Sequence, residues 1–313
     1  MEINLKEKKC LITGSGSMIG LAVVKSLKRR GADCIEVYHK DWDLEYGPEV
    51  DDIFRLMQPD YVFHLAGYNG GIEWNRKYPA DIFKRNVQMG LNILNSCVTY
   101  NTKKIVSVMA SCAYPDMPAE EYEEKDFWAG LPNSSVECHG LAKRMLHAYS
   151  RQINKQYGDQ ATTVILTNSY GPHDSYHPEK TKVVGAAIKR IVEAQQNNTD
   201  CTFWGSGKPL REFMFSLDAG EAIVQTMEKY DNFESPLNLG SGQEVSIQRL
   251  AYTISKIVGY DSNRIHWDTT KQDGQMRKRL NTTKMREYLN VPITRLEDGL
   301  FKTIEWYKET YCD

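Results

Sequence analysis

The stretch Cys10–Gly20, CLITGSGSMIG, constrains the fold more than any other part of this 313-residue chain. A short apolar run, Cys10-Leu11-Ile12, meets a glycine-rich turn and then an amphipathic segment, Ile19 to Leu27. Strand, tight turn and helix in that order form a cradle for a pyrophosphate. Glycines let the backbone approach the phosphates, and the free N–H groups at a helix start favour an anion. A glycine-rich turn alone is a weak signal; after the first predicted strand and at the opening of a helix it predicts dinucleotide binding. Gly14, Ser17, Met18, Ile19 and Gly20 are the cradle candidates.

The pattern repeats downstream. Strand-like runs at Cys34–Tyr38, Asp60–Gly67, Ile105–Cys112 and Thr162–Leu166 alternate with helical patterns at Val50–Met57, in the segment ending at Tyr100, and at Glu137–Tyr157. Alternation over Lys8–Asn168 predicts an α/β fold with a Rossmann-type, doubly wound parallel sheet. Residues just after the second strand choose between a ribose hydroxyl and a 2′-phosphate. Here Tyr38, His39 and Lys40 come first and no acid stands at the strand tip, which favours NADP; NAD stays open. Asp43 and Leu44 are placed to hydrogen-bond and pack the adenosine. Leu65, Ala66 and Gly67 end the third strand in residues small enough for a cofactor to lie against. After Asn168 the character changes to a loop at Tyr170–Asp174, a helix at Val183–Gln195 and a hairpin-like turn at Phe203–Gly207. A turn at Asn238–Gly242 then precedes helix Ile247–Val258, and a last helix spans Leu296–Thr310. The expectation is a dinucleotide-binding domain over residues 1–168, with later returns at about 214–245, and a smaller C-terminal α/β substrate domain over 169–313.

At 41% hydrophobic residues the chain can bury a large core. A net charge of −2 without a basic block gives no reason to expect nucleic acid as a partner. Seven cysteines, an odd number without paired spacing, suit a reducing compartment and predict neither a disulfide framework nor a metal site. MEINLKEKK carries no apolar signal region, and no stretch approaches the roughly 18 apolar residues of a membrane span, so a soluble, cytoplasmic protein is expected.

Six further stretches are specific: GGI at Gly70–Ile72, YPAD at Tyr78–Asp81, SCAYP at Ser111–Pro115, YGPHDSYHP at Tyr170–Pro178, WGSGKPLREF at Trp204–Phe213 and DTTKQDGQ at Asp268–Gln275. In this order they resemble the GDP-sugar branch of the extended short-chain dehydrogenases/reductases, within the NAD-dependent epimerase/dehydratase family, and the GDP-L-fucose synthases most of all. That resemblance implies an enzyme of nucleotide-sugar biosynthesis that epimerises C3 and C5 of a GDP-4-keto sugar and reduces C4 with NADPH. It also implies a homodimer through helices near Gly90–Val98 and Lys143–Ile153. Arg190, Trp204, Arg211 and Lys278 are carried over as candidates for the diphosphate and base, with Asn168 and Val183 beside them. An arginine fork donates two parallel bonds to diphosphate oxygens, and tryptophan can stack on guanine.

The chain departs from the family at the chemistry. Ser17 stands at the middle glycine of TGxxGxxG, which puts close approach to the phosphates in question there. The family's catalytic Tyr-x-x-x-Lys reads His139-Gly140-Leu141-Ala142-Lys143, and its serine falls on Ala110, with Ser111 one residue away. The epimerising cysteine is kept as Cys112, and the residue paired with it falls on Lys182, as the resemblance to GDP-mannose 3,5-epimerases also implies. Three functions remain open. One is an NAD(P)-dependent oxidoreductase at C4 of a GDP-hexose or GDP-heptose with His139 as base. The second is a C3/C5 epimerase using Cys112 and Lys182, and the third a GDP-sugar-binding homologue with impaired chemistry.

Overall fold

The computed structural model describes residues 2–158, 160–177 and 180–312; Pro178, which closes the YGPHDSYHP stretch, and Met1, Asp159, Glu179 and Asp313 lie outside them. In the first strand, β1 (Lys9–Thr13), every residue after Lys9 is buried, as in a parallel sheet covered on both faces. Helix α1 (Met18–Arg29) follows, with Lys28 and Arg29 in its last turn, where the helix dipole favours cations. Then come β2 (Asp33–Val37), α2 (Gly47–Met57), β3 (Tyr61–His64), α3 (Ile72–Lys77), α4 (Pro79–Thr99), β4 (Lys104–Ala110), α5 (Glu137–Tyr157) and β5 (Ala161–Leu166). The second half holds β6 (Asn168–Tyr170), α6 (Val183–Gln196), β7 (Cys201–Trp204), β8 (Leu210–Phe215), α7 (Ser216–Lys229) and β9 (Leu237–Leu239). It ends with β10 (Glu244–Ser246), α8 (Ile247–Val258), β11 (Ile265–Asp268), β12 (Arg277–Lys278), α9 (Thr283–Tyr288) and α10 (Leu296–Tyr311).

The central sheet has the order β2-β1-β3-β4-β5-β9, and all its pairings are parallel. Alternate residues of β1 serve the two layers. Cys10 and Ile12 pack with Val23 and Leu27 of α1 and Ile223 of α7, while Leu11 packs with Phe54 of α2, Ile93 of α4 and Leu146 of α5. This is the Rossmann-like, doubly wound arrangement that the alternation predicts. Strand order reverses at β1, so a crevice opens at the carboxyl ends of β1 and β3, where such folds bind ligands. A separate apolar core joins α6, β7, β8, α8, β11 and α10 through residues such as Ile188, Phe203, Phe213, Ile254 and Ile304.

Three local expectations change. The strand read over Ile105–Cys112 stops at Ala110, and Ser111–Ala113 wind into a single 3-10 turn that carries Cys112 off the sheet. Asn238 and Leu239 belong to β9 rather than to a turn. Asn238 is fully buried because Tyr114 Oη donates to its Oδ1 and its Nδ2 donates to the carbonyls of Tyr122 and Asn281, satisfying a polar residue that in sequence looks like loop. The turn at Phe203–Gly207 does not close a hairpin: β7 pairs in parallel with β11, while β8 pairs with β6, β10 and β12. Turn chemistry marks where a chain bends, and distant partners decide what its flanks pair with.

Candidate active site

The turn after β1 is pinned to the end of β3. Thr13 Oγ1 accepts from the N–H groups of Leu65 and Ala66, both at 3.1 Å, and lies 2.9 Å from His64 Nδ1. Gly14 has a φ of +69°, and a Cβ there would sit 3.0 Å from the Ala66 nitrogen, so only glycine lets the two backbones close up. Ser17 is the N-cap of α1 and its hydroxyl accepts from the Gly20 N–H at 3.0 Å. The side chain at the middle position is thus folded back onto the helix and satisfies one of its orphan donors.

Two cavities flank Ser17. One, of about 260 Å³, runs toward the tip of β2 and is lined by Gly14, Ser17, His39, Asp43, Leu44, Leu65, Ala66 and Gly67. The other, of about 450 Å³, includes Ser17, Met18, Ile19, Gly67, Asn69, Asp174 and Lys182. Ser17, Leu65 and Gly67 line both, so one trough crosses the carboxyl edge of the sheet. Its glycine cradle, its helix start and its small residues after β3 fit a nicotinamide dinucleotide. Lys40 is absent from the lining, its ammonium lying 5.8 Å from the centre of the Tyr38 ring; His39 and Arg85 are the basic residues that line the smaller cavity.

Helix α5 brings His139 and Lys143, one turn apart and both buried, to the floor of this trough. It passes close under the turn that carries Cys112: a Cβ on Gly140 would lie 2.7 Å from the Cys112 carbonyl oxygen. Arg144, on the same helix, donates to the Ala113 carbonyl at 2.7 Å and to the Gly130 carbonyl at 2.6 Å, holding that turn down. As a result Cys112 Sγ lies 3.2 Å from His139 Nδ1. Asn69 Nδ2 lies 3.3 Å from the same ring nitrogen, and Asn75 Nδ2 donates to Asn69 Oδ1 at 2.9 Å. The Lys143 ammonium rests against Gly67.

Burial governs the electrostatics. It drives the His139 imidazole down to about 3, with the charges of Lys143 and Lys182 adding to the effect. It also brings Lys143 down to about 8, against the pull of Cys112. Burial raises the Cys112 thiol, and Lys278, Lys143 and Lys182 oppose it. At neutral pH the ring is therefore neutral and the thiol protonated. Among the described residues His139 presents a nitrogen within hydrogen-bonding distance of Cys112 Sγ, while Lys182, the expected partner of Cys112, acts on the thiol through its charge. Lys182 is the N-cap residue of α6, exposed on the wall of the larger cavity beside Asp174, whose carboxyl burial raises while Lys182 opposes. Ser111 is buried inside the turn, and Ala110 ends β4 without a hydroxyl.

The residues expected at the nucleotide divide into two groups. Lys278 pairs with Arg211 across β12 and β8. Both are lowered by burial, and the charge of Lys278 is felt at Cys112, which places this lysine by the thiol rather than solely at a diphosphate. Arg211 donates to its neighbour's carbonyl, Leu210, at 2.7 Å. Arg190 donates to the Thr202 carbonyl at 2.7 Å and covers the Phe203 ring, while Trp204 at the end of β7 is 71% exposed and open to stacking. Asn168 Nδ2 reaches the Glu212 carbonyl at 3.3 Å, and Val183 opens α6. Sequence reasoning missed Asn69, Asn75, Arg144 and Glu212. The buried Glu212 carboxylate accepts from the N–H groups of Gly242 and Leu280 at 2.7 and 2.9 Å and so ties β8 to the turn before β10 and to the segment after β12. Asn69 stands before Gly70-Gly71 and reads locally as a turn residue; only the fold reveals its partner.

Residues 10–240 match the NAD dependent epimerase/dehydratase family. GDP-L-fucose synthase 1 of Arabidopsis thaliana is 32% identical over 310 residues, spanning 98% of this chain and 95% of the relative. GDP-L-fucose synthase of Escherichia coli K12 is 32% identical over 315 residues, spanning 97% of this chain and 98% of the relative. The solved structure of a GDP-L-fucose synthetase from Naegleria fowleri bound to NADP superposes with a TM-score of 0.90 at 31% identity, covering 99% of this chain and 97% of that one. Among the described residues no helix is long and apolar enough to cross a membrane. With a glycine cradle at the sheet's switch point, a buried helix-borne lysine beneath it and family similarity along nearly the whole chain, this protein belongs to the NAD dependent epimerase/dehydratase family and is an NAD(P)-dependent enzyme.

Proposed function

We propose that the protein is an oxidoreductase acting at C4 of a GDP-sugar, a GDP-hexose or GDP-heptose, with His139 in the place of the family's tyrosine. The observation that carries this reading is the buried pair His139 and Lys143, one helical turn apart on the floor of the trough. A bound nicotinamide dinucleotide supplies or accepts the hydride. Gly14, Ser17, Met18, Ile19 and Gly20 cradle its pyrophosphate, His39, Asp43 and Leu44 take the adenosine end, Leu65, Ala66 and Gly67 lie along it, and Lys143 holds the ribose. His139, neutral throughout the physiological range, moves the proton at the C4 oxygen. Arg211, Arg190 and Trp204 bind the GDP moiety, with Asn168 and Val183 beside them. In this reading the sheet with its returning α7 and β9 carries the cofactor and the second apolar core carries the sugar nucleotide. A homodimer would use the α4–α5 face, where Phe83 and Met145 are exposed.

A second reading, C3/C5 epimerisation of a GDP-4-keto sugar, is favoured by one contact, Cys112 Sγ to His139 Nδ1 at 3.2 Å. A thiol with a proton acceptor beside it can exchange protons at carbons flanking a ketone. Incubation of a GDP-4-keto sugar in D₂O would then place deuterium at C3 or C5, and Cys112→Ser would abolish the exchange.

The nucleotide is tested first. GDP is expected to raise the melting temperature more than UDP, dTDP or CDP, because a ligand of the native state stabilises it by mass action. Arg211→Ala is expected to weaken GDP binding by about 1–3 kcal/mol in calorimetry, the worth of a charge-assisted hydrogen bond. Equal shifts with all four nucleotides would overturn the GDP assignment. Lys143 gives a separate check. Its ammonium loses its proton as the pH rises through about 8, so the Kd for the dinucleotide is expected to rise above that pH. Lys143→Met is expected to weaken binding at pH 7 and to flatten the profile. An unaltered profile in the variant would remove Lys143 from the cofactor site.

A further inference from the structure

We propose that Asn69 is a positioning residue of this centre: held by Asn75, its amide fixes His139 as the Nε2–H tautomer and keeps the Nδ1 lone pair turned to the Cys112 thiol. The proposal deepens the function given above and rests on it only for the identity of the substrate.

The assignment begins at the backbone. Asn75 is buried, and one end of its side-chain amide lies 3.2 Å from the Gly70 carbonyl oxygen and 3.0 Å from that of Gly71. Carbonyls only accept, so this end is the NH₂. The same NH₂ lies 2.9 Å from Asn69, and the Asn69 atom facing it must be the acceptor, Oδ1. The Asn69 NH₂ then points the other way, 3.3 Å from His139 Nδ1. An amide NH₂ can only donate, so Nδ1 carries a lone pair and the single proton of the neutral ring sits on Nε2. Cys112 Sγ, 3.2 Å from that nitrogen, is likewise the donor. The other tautomer would set an Nδ1–H against the Asn69 N–H.

A consequence follows for the thiol. Ionising Cys112 toward the ring moves its proton from Sγ to Nδ1, leaving a thiolate and an imidazolium. The Asn69 donor opposes the arriving proton and so adds to the burial that keeps Cys112 a thiol. The charged and titratable groups around the pair come from three places: Lys143 and Cys138 on α5, Lys182 at the start of α6, and Lys278 on β12. All three lysines favour a thiolate, and Asn69 is the neutral group set against it. Without that donor the ring is free to place its proton on Nδ1 and donate to the sulfur, which makes the thiolate easier to form.

The direct test is ¹⁵N NMR of full-length protein labelled at its seven histidines, with His139 identified by the signal lost in His139→Gln. The wild type is expected to show His139 with its proton on Nε2; a proton on Nδ1 would overturn the proposal without any further variant. Asn69→Asp, which keeps the shape but replaces the donor by an acceptor, is expected to move the proton to Nδ1. Asn69→Leu, which removes the donor, is expected to speed alkylation of Cys112 by iodoacetamide about tenfold at a fixed pH, followed on the Cys112 peptide by mass spectrometry. A residue needed only for folding would leave both the ring proton and the alkylation profile where they are, and that result in the soluble variants would also overturn the proposal. None of these readouts needs substrate. If the tautomer responds as expected but no GDP-sugar is turned over, the functional reading fails and the positioning role stands.

Discussion

Acidification from pH 6.5 to 4.5 is expected to cost this protein much of its stability, with a melting temperature falling by roughly 6 °C per pH unit. Three buried histidines are responsible. Burial, with the charge of Lys143, brings His64 down to about 3; burial brings His139 to about 3 with Lys143 and Lys182, and His147 to about 4 with Arg151. His64 lies 2.9 Å from Thr13 Oγ1 and His147 2.7 Å from Thr163 Oγ1, so both rings are held neutral by packing and by a hydroxyl partner. The sign is fixed by the direction of the shifts. An unfolded histidine takes up its proton near 6.5, whereas these three do so only near 3 to 4 when folded, so between those values the unfolded state binds more protons. The stabilisation is fully present above pH 6.5 and is lost as pH falls toward the folded values. Each ring contributes up to about 1.4 kcal/mol per pH unit, and three give about 4, against a typical total of about 5–15 kcal/mol. His147→Gln is expected to remove about a third of the slope. A melting temperature flat from pH 7 to 5, or the same slope in the variant, would contradict this account.

What the sequence makes legible follows the range of the physics involved. The Cys10–Gly20 cradle and the boundaries of α5 and α8 depend on local steric and periodic rules, and they can be read from neighbouring residues. Helix α5, read as Glu137–Tyr157, occupies those residues in the structure, and with it comes the placement of His139 and Lys143 on one face. The partner of Cys112 could not be read this way. Whether it faces Lys182 or His139 depends on the chain leaving β4 at Ala110 and turning over Gly140, a close approach between segments some thirty residues apart. Asn69, Asn75 and Glu212 escaped for a related reason: a polar residue gives no periodic signal, and its meaning lies in a partner that the fold supplies. Strand β9 is three residues long with an asparagine at its centre, too short and too polar for alternation to show.

Loss of His139 is expected to lower hydride transfer by about 10²–10⁴-fold, the usual worth of a positioned acid or base, while leaving the cofactor bound. The ring sits at the point where the family resemblance places a tyrosine, above Lys143 and against Cys112, and its burial keeps it neutral. With its proton on Nε2, the neutral imidazole can give that proton to the C4 oxygen while Nδ1 takes one from the Cys112 thiol, and the reverse relay serves oxidation of an alcohol. His139→Asn keeps the ring's polarity and approximate size but cannot shuttle that proton. His139→Tyr with Ala110→Ser restores the family's residues and is expected to shift the pH profile toward the tyrosine range and to favour reduction of a 4-keto sugar. The decisive measurement is a single-turnover assay. Purified protein is mixed with NAD or NADP and a GDP-hexose or GDP-heptose, or in the reverse direction with reduced cofactor and a GDP-4-keto sugar. The nucleotide is then released by denaturation and identified by absorbance and mass. The account predicts cofactor that changes oxidation state with a matching change at C4 of the sugar, and a large loss of that change in His139→Asn. Cofactor that stays bound and unchanged with every GDP-sugar shown to bind would contradict it.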